Sequence, residues 1–215
     1  MFKDRRDAGE RLAEKLERFR SPRPLVLAIP KGGVEVGYRA ALKLDAEFSI
    51  IIVRKLPFPD NPESGFGAIA EDGSVYVSPV AAEFLNKSTL SLIVEKQKKE
   101  IIRRRNVLRG GRELPGMRDR TVILTDDGIA MGSTMRAAIE MCRKEKAGRI
   151  VAAAPVAGRE TARDIARAAD EAVILETPEF FRAVAESYEN WYDVPDEEVI
   201  DIMRRRSAGK DNAGT

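Results

Sequence analysis

The sequence predicts an α/β fold: a doubly wound, mostly parallel sheet with helices on both faces, plus a small hairpin and flexible-loop insertion. Three observations predict it. Short apolar runs recur, as at residues 25–29 and 150–154, and suit strands buried on both faces. Segments with helical periodicity separate them. One stretch, residues 54–73, interrupts the alternation with prolines and glycines.

The elements follow in order. Ala8, Leu12, Leu16 and Phe19 recur at helical spacing between charges, so residues 3–20 read as an amphipathic helix. Ser21, Pro22, Arg23 and Pro24 end it. Residues 25–29 read as a buried strand, residues 34–44 as a helix and residues 48–53 as a second buried strand, making one βαβ unit. Its first strand runs into a tight loop, Pro30, Lys31, Gly32 and Gly33. Residues 54–65 are expected to form no regular element, and a long loop in a compact domain is usually functional or mobile. Residues 67–77 read as a hairpin turning at Glu71, Asp72 and Gly73. Residues 80–109 form a long helical region. In it Val94, Ile101 and Leu108 lie seven apart, and Leu90 and Ile93 widen the stripe. That stripe is wide enough to bury against a second subunit, and a homodimer is expected. The run Arg103, Arg104 and Arg105 reads as a solvated face. After Gly110 and Gly111 come strand 121–125, helix 133–145, strand 150–154, helix 160–169 and strand 172–175. One domain over residues 1–203 is expected, with a loose tail over residues 204–215.

Composition narrows the chemistry. With 43% apolar and 33% charged residues the chain suits a packed globule, not disorder. The net charge of +2 is near balance and does not point to nucleic acid, which would need a local patch. Cys142 is the single cysteine, which excludes an internal disulfide and fits a reducing, cytoplasmic location. Histidine is absent, so Ser-His-Asp and Cys-His catalysis and His-based metal sites are excluded. No run of about 18 apolar residues occurs, so no membrane span is expected.

Four features coincide between residues 121 and 136. A buried strand ends at Thr125. Asp126 and Asp127 follow at once. Gly128, Ile129, Ala130, Met131 and Gly132 form a loop of mostly small residues, and Ser133 and Thr134 open a helix. Ligands of open α/β sheets bind beyond the carboxyl ends of strands. Small residues let backbone amides approach an anion, and the amino end of a helix adds free N–H groups and a positive dipole end. The hydroxyls of Ser133 and Thr134 can join them or cap the helix. The carboxylates cannot hold that anion. They suit vicinal hydroxyls or a hydrated Mg²⁺ beside it, and together these groups describe a sugar-phosphate site. The spacing fits neither a Walker A loop nor, at Gly32 and Gly33, a dinucleotide fingerprint.

The segment resembles the signature of type I phosphoribosyltransferases: an apolar strand, two acids, then Gly-x-x-Thr-Gly-x-Thr. The likeness covers most of residues 20–200. It is nearest to prokaryotic phosphoribosyltransferase-like proteins with Arg-Lys-Leu, Asn-Pro-Glu and Arg-Gly-Gly-Arg segments. Here these begin at Arg54, Asn61 and Arg109. The resemblance implies an enzyme that takes 5-phosphoribosyl-1-pyrophosphate with Mg²⁺ and passes the phosphoribosyl group to a nucleobase or other small acceptor. It implies that Asp126 and Asp127 hold the ribose hydroxyls and that residues 130–134 hold the 5-phosphate, with Gly128 and Ile129 also in the substrate site. Pro30, Lys31, Gly32 and Gly33 would form the pyrophosphate loop, and Arg54 and Lys55 would begin the flexible catalytic loop. Mg²⁺ would be carried by pyrophosphate and reach Asp126 or Asp127 through water. Met131 stands where the family has Thr, which removes one hydroxyl donor.

Other readings remain beside it. Lys31, Gly32 and Gly33 could be a plain tight turn, and Arg54 and Lys55 a strand end. Trp191, Tyr188 and Tyr192 read as core or interface aromatics, with stacking on an acceptor as the rival reading. Glu63 is a candidate base. The chain could instead be a non-catalytic phosphoribosyl-ligand sensor acting on RNA, DNA or a partner. A phosphatase lacks a nucleophile here.

Overall fold

Strands with apolar side chains on both faces must be covered on both faces, and this requirement shapes the molecule. In the computed structural model, residues 1–20 and 24–211 are described. Helix α1 (Arg5–Leu16) is capped by Asp4, whose side chain accepts from the Asp7 N–H. β1 (Leu25–Ala28), α2 (Gly33–Leu44) and β2 (Glu47–Ile50) form the expected βαβ unit. β3 (Val53–Phe58), β4 (Asn61–Ala70) and β5 (Val75–Val77) follow, then α3 (Pro79–Phe84) and α4 (Lys87–Arg109). The chain continues through β6 (Thr121–Thr125), α5 (Ser133–Lys144), β7 (Arg149–Val156), α6 (Arg159–Ala168), β8 (Glu171–Glu176) and α7 (Asp196–Asp211).

The main sheet is parallel, in the order β2-β1-β6-β7-β8. Side chains alternate between two cores, as the two-residue strand period requires. Val26, Ala28, Ile123, Val151 and Ala153 join the core with Leu12, Ala40 and Val199, from α1, α2 and α7. Leu25, Leu27, Val122, Leu124 and Ala152 join the core with Ala138 and Ile165, from α5 and α6. Helices therefore cover both faces, and the doubly wound prediction holds. β1 and β6 are adjacent, so the order reverses between them, where such sheets bind ligands.

Several local expectations are corrected. Residues 48–53 do not form one strand: β2 stops at Ile50, and the Ile52 N–H turns to the Glu71 carboxylate at 2.9 Å. Residues 54–65 are regular after all. β3 and β4 pair antiparallel, and the register shifts on both sides of Pro57, where a missing N–H is tolerated. Phe58 meets Phe66 edge-on at 5.3 Å. β4 and β5 then form the expected hairpin, with Gly73 in the left-handed region at φ 88°. Residues 80–109 are two helices. The backbone is extended at Leu85 and Asn86, and Asn86 caps α4 through the Thr89 N–H at 2.8 Å. The stripe expected to face a second subunit lies against the chain's own core: Ile101 and Leu108 are buried there, with Leu90, Ile93 and Val94 packed on it. Over residues 204–211 the expected loose tail is helical, because α7 anchors itself with buried Ile202 and Met203 and an Arg206 bond to the Ala46 carbonyl. Residues 212–215, like the Ser21-Pro22-Arg23 stop, lie outside the described residues.

The Arg-Gly-Gly-Arg segment proves to be a structural joint. Gly110 and Gly111 adopt φ 62° and 71° to end α4. Arg109 is buried, forks onto Glu71 at 2.8 and 2.5 Å, and donates to the Ile50 carbonyl at 2.9 Å. It ties α4, β2 and the β4–β5 turn together. Among the described residues no helix is long and apolar enough to cross a membrane.

Candidate active site

The site assembles where β1 and β6 end. β6 delivers Asp126 and Asp127 just past the sheet edge, and the β1–α2 loop brings Gly32 and Gly33 against them. A Cβ on Gly32 would lie 1.8 Å from Asp127 Oδ2, and one on Gly33 would lie 2.8 Å from Asp126 Cα. Only glycine permits this approach, so these residues do more than turn the chain. The Pro30–Lys31 peptide is cis. Lys31 Nζ lies 3.6 Å from Asp196 on α7, so the loop turns backbone, rather than its lysine, toward the acids.

The two acids are not equivalent. Asp127 is buried, and its Oδ2 accepts from Arg5 Nε at 2.8 Å. Its backbone carbonyl accepts from the Tyr188 hydroxyl at 2.5 Å. Asp126 is half-buried, and its Oδ1 accepts the Asp127 N–H at 2.9 Å. Burial, reinforced by the charge of Asp127, raises the Asp126 carboxyl well above the usual carboxylate range. Burial likewise pushes the Tyr188 hydroxyl upward, so it stays a protonated donor.

The loop expected to hold an anion leads straight into α5. Gly132 adopts φ 76° at the start of α5, and no side chain caps that helix. Helix N-terminal amides without a side-chain cap are the kind of group that can bind an anion. A cleft of about 350 Å³ runs along residues 128–134, with Lys55, Ser64, Gly65 and Gly67 on its opposite wall. Ile129 is buried, while Ala130 and Met131 are exposed at the mouth. The Ala130 carbonyl is held by the Thr161 hydroxyl at 2.8 Å. Gly128 is covered from the other side, where a Cβ would lie 2.4 Å from Val184 Cγ1.

Arg54 and Lys55 part company because neighbours on a strand point to opposite faces. Lys55 lines the cleft. Arg54 instead reaches Gln97 on α4 at 3.2 Å, where burial and nearby Arg104 lower its pKa. The structure thus brings together residues 30–33, Lys55, Asp126, Asp127 and residues 128–134, and leaves Arg54 behind the wall.

Arg5 escaped sequence reasoning. It lies 122 positions from its carboxylate partner, and a lone arginine in a charged helix gives no signal. The aromatic cluster was visible, but its use was not: Tyr188 is core, while Trp191 stacks on the Arg5 guanidinium at 4.0 Å. Glycine spacing at Gly65 and Gly67 was the available hint of a close-packed wall.

Comparison with known proteins agrees with this geometry. The family model for the phosphoribosyl transferase domain matches residues 3–189. A Mycobacterium tuberculosis protein, provisionally named a phosphoribosyl transferase, is 36% identical over 207 residues, covering 95% of this chain and 47% of that protein. The chain thus spans about half the length of the curated relatives it matches. A crystal structure from Thermus thermophilus superposes with a TM-score of 0.81 at 36% identity, over 94% of this chain and 97% of that one. With the domain model matching residues 3–189, most of its length, the chain belongs to the phosphoribosyl transferase family.

Proposed function

We propose that this protein takes 5-phosphoribosyl-1-pyrophosphate with Mg²⁺ and transfers the phosphoribosyl group to a nucleobase or similar small acceptor, releasing pyrophosphate. One observation carries the reading: an acid pair packed against the Gly32–Gly33 loop on one side and followed on the other by the small-residue loop that lines a cleft and opens α5. A donor with a phosphate at one end, vicinal hydroxyls in the middle and a pyrophosphate at the other has this order of groups.

In this reading the amides of residues 130–134, with the Ser133 and Thr134 hydroxyls, hold the 5-phosphate. The acid pair receives the ribose hydroxyls. Amides at Lys31, Gly32 and Gly33 face the pyrophosphate, and Lys55 adds positive charge from the far wall. As the bond from C1 to the pyrophosphate oxygen breaks, positive charge grows on the ribose ring. The fixed carboxylates stabilise it electrostatically. Bound Mg²⁺ would offset the negative charge of the leaving group. Half-buried Asp126, which accepts from no cation in the described structure, is the acid suited to meet it through water. Arg54 could join only if β3 moved off Gln97. The β3–β4 hairpin, in place of the expected loop, is the element that would close and exclude water. A cytoplasmic location belongs to the same proposal. So does a homodimer, now through exposed Val80, Leu92 and Ile102 and not the buried stripe. Sedimentation equilibrium tests that part.

Calorimetric titration with the donor and Mg²⁺ tests the core claim. Wild type should bind, and Asp126→Asn/Asp127→Asn should not. Absent wild-type binding, or equal binding by the double variant, overturns the reading. Screening purines, pyrimidines and aromatic acids for pyrophosphate release then finds the acceptor. Exposed Met131, in place of a hydroxyl donor, favours one rival, a sensor that binds the donor without turning it over. Binding with no pyrophosphate release from any acceptor, and salt-dependent nucleic-acid binding, would support that rival.

A further inference from the structure

We infer that Arg5 is a positioning residue of the phosphoribosyl site, holding Asp127 as a fixed anchor against the pyrophosphate loop so that Asp126 is the acid presented to the ligand. The inference rests on the reading above and adds a residue, and a division between the acids, that the sequence motif does not contain.

The geometry is specific. Arg5 is 5% exposed although it is an arginine in the first turn of a surface helix. Its Nε–H reaches Asp127 Oδ2 at 2.8 Å and its Nη1 reaches the Tyr192 carbonyl at 2.9 Å. The flat guanidinium lies over Trp191 at 4.0 Å and near Tyr192 at 5.3 Å. Lysine could not bridge two acceptors and stack in this way. The segments that carry Arg5 and Tyr192 are tied to each other as well. The Phe2 N–H donates to the Ser187 carbonyl at 2.8 Å, and the Glu189 N–H donates to the Phe2 carbonyl at 2.9 Å. The start of the chain and residues 187–192 thus form one clasp with Arg5 at its centre.

The clasp acts on the site through one atom. Asp127 Oδ2, the oxygen that Arg5 holds, is also the atom a Cβ on Gly32 would strike. Rotation of Asp127 would therefore push on the pyrophosphate loop or leave a gap behind it. Arg5 fixes that rotation and offsets the negative charge of Asp127. The other acid, half-buried Asp126, has no such cation among the described residues. In metal sites, a partner that orients a ligating side chain sets affinity by about 10- to 100-fold without touching the metal, and Arg5 stands in the same relation to Asp127.

A binding cycle tests this. Donor and Mg²⁺ affinity would be measured for wild type, Arg5→Met, Asp127→Asn and the double variant, with Ser133→Ala and Arg5→Met/Ser133→Ala as the remote control. Circular dichroism checks the fold. Arg5→Met should weaken binding by about tenfold or more. The Arg5 and Asp127 losses should be strongly non-additive, whereas Arg5 and Ser133 should add. General destabilisation would not single out Asp127. Trp191, the sole tryptophan, supplies a second signal: its emission should change on donor binding in wild type and not in Arg5→Met. If Arg5→Met does not fold, Arg5→Lys replaces it and should still lose about several-fold in affinity. Wild-type binding that Arg5 variants leave unchanged, or additive Arg5 and Asp127 losses, overturns the role of Arg5 alone. Failure of wild type to bind overturns the phosphoribosyl reading and this inference with it.

Discussion

Asp126 sets stability against the proposed donor binding. Its carboxyl is raised by burial and by the charge of Asp127, so the folded state holds this proton more tightly than the unfolded chain does. Stability from this group therefore falls as pH rises from the ordinary carboxylate range through the raised value. Asp126→Asn should raise the neutral-pH melting temperature while removing donor binding, and a lower melting temperature would contradict this account. Donor affinity should also fade on acidification earlier than an ordinary carboxylate would cause, because a protonated Asp126 accepts fewer hydroxyl hydrogen bonds. The Arg109–Glu71 pair is the opposite case, buried and fully matched at 1% and 8% side-chain exposure. Glu71→Gln leaves the guanidinium without its counter-charge and should cost about 3–5 kcal/mol in urea unfolding. Cys142, its thiol pushed up to about 12 mainly by burial, should resist alkylation until the protein unfolds.

At the scale of elements, the residue 30–33 loop and the start of α5 are the two proposed backbone cradles. Gly32→Ala places a Cβ where Asp127 already lies, so the loop or the acid must shift. Calorimetry should show donor binding weakened by about tenfold or more, since fixed geometry sets such affinities. Unchanged binding would remove the residue 30–33 loop from the site. Asn86→Ala removes the side-chain cap of α4 and should destabilise by about 1 kcal/mol with donor affinity retained. How legible each element was follows from where its information lies. Strands β1, β6 and β7 are local apolar runs, and the acid pair and small-residue loop follow β6 directly, so the parallel sheet and the place of the candidate site at its edge could be read. Residues 54–65 could not. Their prolines argue against a strand, but the antiparallel partner and the register shifts around Pro57 that tolerate them belong to the three-dimensional pairing. The α4 stripe was read correctly as apolar but assigned to the wrong neighbour, because periodicity gives a face and not what covers it. Arg5 was beyond reach for the same reason, its meaning being a contact across the whole chain.

For the molecule as a whole, the β6 loop at the reversal in strand order is where residues 2–5 and 187–192 meet. α1 lies on the same face as α2, its first turn delivers Arg5 to the β6 loop, and residues 177–195 fold back over that loop. The near balance of charge, +2 overall, leaves the anion site to local groups and not to a global field. The pairing of Phe2 with residues 187–189 also makes the two distant stretches one unit of local unfolding. Neither can open while the other stays closed. In a hydrogen-exchange experiment the amides of Phe2, Glu189 and Asn190 should therefore lose protection together, with one shared opening free energy, and a ligand seated on Asp126 should slow all three at once.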